Sequence, residues 1–263
     1  MLGRILAVAQ NTFREAIRNK ILYALLFFAV LLILSSVAVA KLALYDEVRI
    51  IQDLGLAATS LFGIIIAVFV GVNLIHKEMD RKTIYLILAR PIRREEFLVG
   101  RYLGTIETMA VIVGLMGLVL GFTVLMRGGQ LRASLLQALF LVFLEIGVIS
   151  AVAVLFSTFS SPFLSGLFTL LIFVAGRLVL DIRQLAQRFP PGLSRWLLDT
   201  AAAVLPNGRL FYVSGAVVQG QWRSIHGTFV TWAYLGQVTA YAVFYTALVL
   251  LLAALVFQRR DLT

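Results

Sequence analysis

Residues 135–156 read LLQALFLVFLEIGVISAVAVLF, a run of 22 residues whose only charged side chain is Glu145. An α-helix rises about 1.5 Å per residue, so this run matches the roughly 30 Å hydrocarbon layer of a bilayer. A carboxylate at the centre of such a helix is costly in lipid and therefore needs a partner or a function. The stretch predicts a membrane-spanning helix with a candidate site at its middle.

Similar apolar runs lie on both sides of this stretch, and together they predict an all-α membrane protein with six transmembrane helices. The predicted spans are residues 21–40, 54–75, 103–125, 135–156, 162–180 and 230–257. The longest segments outside these spans are 1–20 at the amino end, a charged segment at 76–101, and a long segment at 181–229. We therefore expect residues 1–263 to form one transmembrane domain.

The composition excludes an ordinary soluble domain. Hydrophobic residues make up 61% of the chain and charged residues 14%, with a mean hydropathy of +0.97. Soluble domains are nearer a quarter charged. The net charge of +10 therefore suits anionic lipid headgroups better than nucleic acid. There is no cysteine, and the two histidines lie at predicted span edges, so we expect no metal site.

The distribution of Lys and Arg predicts the orientation. With a cytoplasmic amino terminus, the inner segments carry 13 of the 23 Lys and Arg residues, whereas the two short outer loops carry four. Short cytoplasmic loops are enriched in these residues. Six spans then place both termini in the cytoplasm, although the six arginines in or beside 181–229 weaken the bias.

Three segments outside the spans have amphipathic patterns. In residues 1–20 the apolar side chains recur at helical spacing between cations, which predicts an interfacial helix in the headgroup plane. Within 181–229, the stretches Gly192–Leu205 and Asn207–Gln219 each predict a short amphipathic helix. Pro206 separates them.

Three charges fall inside predicted spans, namely Glu107, Glu145 and Arg177. Glu145 and Arg177 lie at comparable depths on neighbouring spans, so we predict that they approach each other as a structural ion pair. The alternative is that Glu145 lines a substrate path. Glu107 lies nearer the inner face, where we expect it to meet an interfacial cation.

The charged segment after the second span is the most informative loop. Residues 76–102 read HKEMDRKTIYLILARPIRREEFLVGRY, with a short amphipathic pattern that Pro91 ends. Spacing alone leaves two interpretations equally open: a helix that lies in a groove on a partner protein, and a plain charged hairpin.

This segment resembles the permease subunits of type-2 ABC exporters, and more narrowly the branch associated with multicopper enzyme maturation. The matching positions are Glu78, Arg81, Thr83, Ile84, Tyr85, Leu88, Pro91, Arg94, Glu96, Phe97, Gly100 and Tyr102. Leu205-Pro206-Asn207, followed by Phe211 and Gly220, is a further match, as are the six spans and the short polar link after the fourth. Lys82 departs from the Gly that many members have.

The resemblance implies partners and contact sites. An ABC ATPase subunit would dock on a coupling helix whose residues include Glu78, Arg81, Thr83, Tyr85, Leu88, Pro91 and Arg94. The link residues Ser157, Ser160 and Ser161 would make a second, smaller cytoplasmic contact. Short re-entrant helices between residues 193 and 219 would cap the pathway outside. Two permease copies would pair as a homodimer in a bacterial or archaeal cytoplasmic membrane.

ATP hydrolysis is expected on a separate subunit, because the chain has no G-x-x-x-x-G-K-[ST] phosphate-binding loop. We accordingly expect neither enzymatic activity nor a cofactor in this chain. The leading interpretation is the permease of an ATP-driven exporter. The alternatives are a secondary transporter, which favours inverted repeats and paired midplane charges, and a membrane anchor or scaffold without ATP coupling. The transported substrate is not indicated.

Overall fold

The computed structural model describes residues 2–42, 47–80, 94–190, 192–212, 216–218, 221–223 and 230–258. Within them the chain forms nine α-helices, one short 3₁₀-helix at Gly208–Leu210 and one pair of β-strands. The helices are α1 (Leu2–Ile17), α2 (Lys20–Ala40), α3 (Glu47–Asp80), α4 (Arg94–Met126), α5 (Ala133–Ser157), α6 (Pro162–Arg177), α7 (Val179–Arg188), α8 (Leu193–Val204) and α9 (Trp232–Gln258). The strands are β1 (Ala216–Val218) and β2 (Gln221–Arg223).

The helices have the lengths and composition of a multi-pass membrane protein. Among the described residues, five helices are long and apolar enough to cross a bilayer: α2, α3, α4, α5 and α9. A sixth crossing exists only if α6 and α7 count as one span, and these two helices are bent by 66° at their junction. The helical architecture expected from the sequence is therefore present, with five or six candidate spans.

The predicted fifth span, residues 162–180, is not one continuous helix. Helix α6 ends at Arg177, and Leu178 forms the junction with α7. At about 1.5 Å per residue, α6 is about 24 Å long and falls short of the hydrocarbon thickness. Beyond the bend, α7 carries Asp181, Arg183 and Arg188, whose charges favour leaving the apolar layer.

Helix α3 lies at the centre of the bundle, packed against α2, α4, α5 and α6. It is the most buried candidate span, whereas α2 and α9 leave most of their surface exposed. Buried hydroxyls such as Thr59 and Ser150 donate to the carbonyl oxygen four residues earlier, at 2.8 and 2.7 Å. In an environment without water, this satisfies the polar side chains without interrupting the apolar packing.

Helix α1 packs lengthwise along the first turns of α4. Two glycines of α4 permit the contact, because a Cβ on Gly104 would lie 2.4 Å from the Ala9 carbonyl oxygen, and one on Gly100 would lie 2.7 Å from Val8 Cβ. Ion pairs join the same helices: Arg4 to Glu96 at 4.0 Å and Arg101 to Glu15 at 3.9 Å. The amino-terminal helix is thereby anchored to the helix that follows residues 81–93.

The second amphipathic helix predicted over Asn207–Gln219 is wrong. The described part of this stretch contains the 3₁₀-helix and strand β1, and β1 pairs antiparallel with β2 through Val217 and Trp222. The β-branched Val217 and Val218 favour an extended backbone, and this preference outweighs the apolar spacing that suggested a helix. The first amphipathic segment does form a helix, α8.

Candidate functional site: a buried ion pair beneath a bent helix

A charged pair lies in the middle of the bundle. Glu145 is the thirteenth of the 25 residues of α5, about 18 Å from either end, and only 2% of its side chain is exposed. Arg177 reaches it from the carboxyl end of α6. Arg177 Nε donates to Glu145 Oε1 at 2.9 Å, and Nη2 donates to Oε2 at 2.8 Å. The structure therefore brings these two predicted site residues together in a bidentate contact, the strongest geometry for such a pair.

Ser60 of α3 completes this cluster. Its hydroxyl donates to Glu145 Oε2 at 2.9 Å and accepts from Arg177 Nη2, also at 2.9 Å. A buried ion pair stabilises a fold only when its geometry is good and further hydrogen bonds satisfy the remaining polar atoms. Ser60 supplies such bonds, so that three hydrogen-bonded residues link α3, α5 and α6.

Two aromatic rings hold the guanidinium group of Arg177. Its Cζ lies 5.2 Å from the centroid of Phe173 and 4.6 Å from that of Tyr212. A guanidinium within about 6 Å of a ring centroid is attracted by the π electrons. Burial raises the pKa of Tyr212 above its usual value, and the nearby charge of Asp53 raises it further. The Tyr212 hydroxyl therefore stays protonated at neutral pH and adds no second negative charge beside Glu145.

The loop of residues 205–211, which begins Leu205-Pro206-Asn207 and is called the LPN loop below, lies directly against the bend. A Cβ on Gly176 would lie 2.5 Å from the Pro206 carbonyl oxygen, and one on Gly208 would lie 3.3 Å from the Arg177 backbone nitrogen. Both close approaches are therefore possible only because glycine has no Cβ atom. Arg209 donates through Nε to the Arg177 carbonyl oxygen, which the end of α6 leaves without a helical partner.

Three tyrosines of α9 fix the LPN loop from the other side. Tyr241 accepts a hydrogen bond from the Asn207 N–H at 3.0 Å. Tyr234 and Tyr245 donate to the carbonyl oxygens of Leu210 and Val204, each at 3.0 Å. These bonds satisfy the carbonyl oxygens at the ends of α8 and of the 3₁₀-helix and the N–H of Asn207 between them, where an unpaired group in apolar surroundings would be costly.

The remaining predicted intramembrane charge has a different environment. Glu107 is exposed on α4, and among the described residues no cation pairs with it. The structure therefore does not place Glu107 in the cluster, and the expected partner cation is not found in the described part of the chain. Glu107 is the fourteenth of the 33 residues of α4, about 20 Å from its amino end.

The serines of the link between α5 and α6 point in different directions. Ser157 is fully buried and its hydroxyl donates to the Val154 carbonyl oxygen at 2.6 Å. The Ser160 hydroxyl lies 3.1 Å from the Ser165 hydroxyl, whereas Ser161 is exposed at the N-cap position of α6, without a side-chain capping hydrogen bond. Ser161 is therefore at the surface, Ser160 is partly buried, and Ser157 is not accessible.

Most of the predicted coupling residues lie outside the described residues. This applies to Arg81, Thr83, Tyr85, Leu88 and Pro91. The backbone of Glu78 belongs to the last turn of α3, and that of Arg94 begins α4. The two long central helices therefore flank this segment.

Sequence reasoning missed Ser60 and the three tyrosines. Ser60 has no distinguishing pattern, because a serine in an apolar run is common among membrane helices. The tyrosines do carry a signal: Tyr234, Tyr241 and Tyr245 are spaced by seven and four residues, which places their hydroxyls on one face of α9. A polar row on an otherwise apolar helix indicates a polar structure packed against it.

The contacts of the cluster connect parts of the fold to one another. In the described part of the chain, no group of three His, Asp or Glu side chains is placed to hold a metal ion. The cluster instead joins three helices and the LPN loop at a point where a helix bends.

Comparison with known protein families shows which family model the chain matches. The model of the ABC-2 family transporter proteins matches residues 6–262, which is nearly the whole sequence. No curated protein matches the chain.

Proposed function

Because this chain belongs to the ABC-2 family of transporter proteins, we propose that it is the membrane-spanning permease of an exporter whose ATP is hydrolysed by a separate subunit. The observation that carries this proposal is the family match across residues 6–262 of a chain with five or six candidate spans. The absence of a phosphate-binding loop from the sequence is consistent with ATP hydrolysis on a partner.

The lengths of α3 and α4 support a docking site at residues 81–93. Helix α3 has 34 residues and α4 has 33, so each is about 50 Å long, roughly 20 Å more than the hydrocarbon layer. The last five residues of α3, 76–80, read HKEMD, so that its excess length includes the end facing residue 81. In this proposal an ATPase subunit docks at residues 81–93, with Ser160 and Ser161 as a second contact.

Positive charge supports a cytoplasmic position for this docking site. Residues 77–101 contain seven Lys and Arg, more than any other connecting segment of similar length in the sequence. Such segments favour the cytoplasmic side. In this topology α1 and the end of α9 also lie on that side. Gln258 near the end of α9 donates to Glu95 at the start of α4, at 2.5 Å, in agreement with both ends lying on one side.

On the opposite side, the bent α6–α7 pair, α8 and the LPN loop form a re-entrant cap. Arg177 lies about 22 Å along α6, so the loop that contacts it lies within the depth of the hydrocarbon layer. In this proposal the ion pair and the tyrosines hold the cap closed over the pathway, and a second permease copy, in a homodimer, completes it. The chain itself binds no ATP.

The test is the rate of ATP hydrolysis by a candidate ABC ATPase subunit from the same genome, reconstituted in lipid nanodiscs with and without this chain. We expect the chain to alter the rate of ATP hydrolysis. This change should disappear when residues 83–91 are scrambled, because scrambling keeps the composition and length but removes the docking pattern. Glu107→Gln is the matched control and should retain the change. Equal rates for wild type and scrambled chain would contradict ATP coupling through this segment.

A further inference from the structure

The bend between α6 and α7 occurs at a single residue. Leu178 has φ −96° and ψ 6°, whereas an α-helix has φ near −63° and ψ near −42°. Residues 177–188 contain neither Pro nor Gly, which commonly kink or end a helix, and Gly176 is itself helical. The sequence therefore allows one continuous helix over residues 162–188, and tertiary contacts must supply the bend.

Arg209 of the LPN loop takes the place of a helical hydrogen bond. In a continuous helix the N–H of residue 181 would donate to the carbonyl oxygen of Arg177, four residues earlier. In the structure this oxygen accepts from Arg209 Nε at 3.2 Å, and Arg209 Nη2 donates to the Asp181 carboxylate. One guanidinium group thus binds the two residues that helix continuation would join. A side chain inserted in this way is a known cause of a helix bend.

The two bonds of Arg209 are made at the surface. The side chains of Arg209 and Asp181 are 44% and 50% exposed. Exposed ion pairs are weak because water competes with them. These bonds therefore break without leaving a buried charge uncompensated. The contact between Arg177 and Glu145 differs in this respect, since its carboxylate is buried.

Helix α8 links the position of α7 to that of the LPN loop. Helices α7 and α8 pack against each other, with Ala186 and Ala202 buried, and Arg183 donates to the Ala202 carbonyl oxygen at 3.4 Å. Helix α8 ends at Val204, and the LPN loop begins at the next residue. A swing of α7 would carry α8 with it and draw the loop away from the bend. Release of Arg209 and straightening of the helix therefore favour each other.

We propose that Arg209 is a latch that holds the α6–α7 hinge bent, and that the hinge becomes one continuous helix when Arg209 leaves Arg177 and Asp181. The straight form would cover residues 162–188, about 40 Å, which is enough to cross the hydrocarbon layer. The tyrosine bonds to the LPN loop favour the bent form, which predominates in the wild type. The hinge belongs to this chain alone. Only its use, to open the cap over the pathway, rests on the proposed function.

The distance across the hinge tests the proposal. The chain has no cysteine, so Phe163→Cys and Gln187→Cys, both at exposed positions, can carry the only two spin labels. At about 1.5 Å per residue these positions are about 36 Å apart in a straight helix, and about 31 Å apart with the 66° bend. Double electron–electron resonance in lipid nanodiscs without an ATPase measures this distance. We expect one main distance near the shorter value when Arg209 is present.

Arg209→Glu should release the latch. The ratio of straight to bent form should rise by about tenfold or more, because a charged donor is lost and repulsion from Asp181 replaces attraction. The longer distance should then appear as a second population. Exchanging the charges, Arg209→Glu with Asp181→Arg, restores an ion pair across the bend and should return most molecules to the shorter distance. A single short distance in Arg209→Glu, or an equal straight population in the single and exchanged variants, would overturn the proposal.

The matched control lies on α8. Arg195 pairs with Asp199 at 3.7 Å, and both are as exposed as the residues of the latch, but their ion pair lies within one helix. Arg195→Glu should keep the shorter distance. The longer distance in this control as well would show that the hinge responds to any change of charge near it, and would contradict the latch. Because no ATPase is present, failure of the latch and failure of ATP coupling are distinguishable.

Discussion

Glu145→Gln should destabilise the protein by about 2–4 kcal/mol. Removing one member of a fully buried ion pair costs about 3–5 kcal/mol, because the other charge is left uncompensated. Here a quarter of the Arg177 side chain is exposed, which lowers the expected loss. Arg177→Gln should cost less than Glu145→Gln, since a carboxyl group can bind a proton and become neutral, whereas a guanidinium group stays charged.

A double-mutant cycle separates the pair from its surroundings. We expect the Glu145→Gln, Arg177→Gln double variant to lose less stability than the sum of the single variants, with an interaction energy of about 0.5–3 kcal/mol. Thermal unfolding in detergent measures this, because 1 kcal/mol shifts the Tm of a chain of this size by about 2–4 °C. Glu107→Gln makes the same chemical change at an exposed position and should shift Tm by less than about 2 °C. Additive single losses would show that the pair does not act as a unit.

Gly176→Ala should detach the LPN loop. The added Cβ would lie 2.5 Å from the Pro206 carbonyl oxygen, closer than real Cβ atoms approach any atom, and a backbone oxygen cannot move without the loop. Forcing extra volume into a packed site costs about 1–3 kcal/mol. The Asn207 N–H, which donates to Tyr241, should then exchange with deuterium faster.

The control for this prediction lies on the same helix. A Cβ on Gly166 would meet Val68 at 3.7 Å, an ordinary contact distance. Gly166→Ala should therefore be neutral or stabilise α6 by up to about 1 kcal/mol, because Ala has the higher helix propensity. Gly176→Ala is thus expected to lower the Tm, whereas Gly166→Ala should leave it unchanged or raise it. Equal shifts in Tm and unchanged exchange at Asn207 in both variants would contradict the close contact of the LPN loop.

The sequence predicts the membrane helices because their signal is local. A charge-free run such as residues 21–40 has few alternatives to a spanning helix, since every backbone group must be satisfied within the bilayer. The proximity of Glu145 and Arg177 could also be expected, because each is costly alone at its depth. Both inferences follow from single residues and their positions along a helix.

Features that depend on tertiary contact could not be predicted in this way. The break at Leu178 lies beside the contact of Gly176 with Pro206, which are 30 positions apart in the chain. The apolar run of residues 162–180 contains no sequence signal that predicts this break. The strand β1 was missed because Val217 and Val218 fit both an apolar helix face and an extended strand, and pairing with β2 decides between them.

The role of Ser60 in the ion-pair cluster also depends on tertiary contact and could not be predicted from the sequence. Its hydroxyl matters only because α3 crosses α5 and α6 at the level of the ion pair. By contrast, the tyrosines of α9 were predictable in principle from their spacing, although their partner, the LPN loop, was not. Sequence thus locates costly polar groups, and packing determines which of them meet.

Co-purification tests most directly whether this chain works with a separate ATPase subunit, as we propose. The tagged chain is extracted in mild detergents and its partners are identified by mass spectrometry, beside a variant with residues 83–91 scrambled and the Glu107→Gln control. We expect an ABC ATPase subunit to accompany the wild-type and control chains and to be lost from the scrambled variant. Recovery of the chain alone in every detergent would contradict ATP coupling and favour a secondary transporter or a membrane anchor.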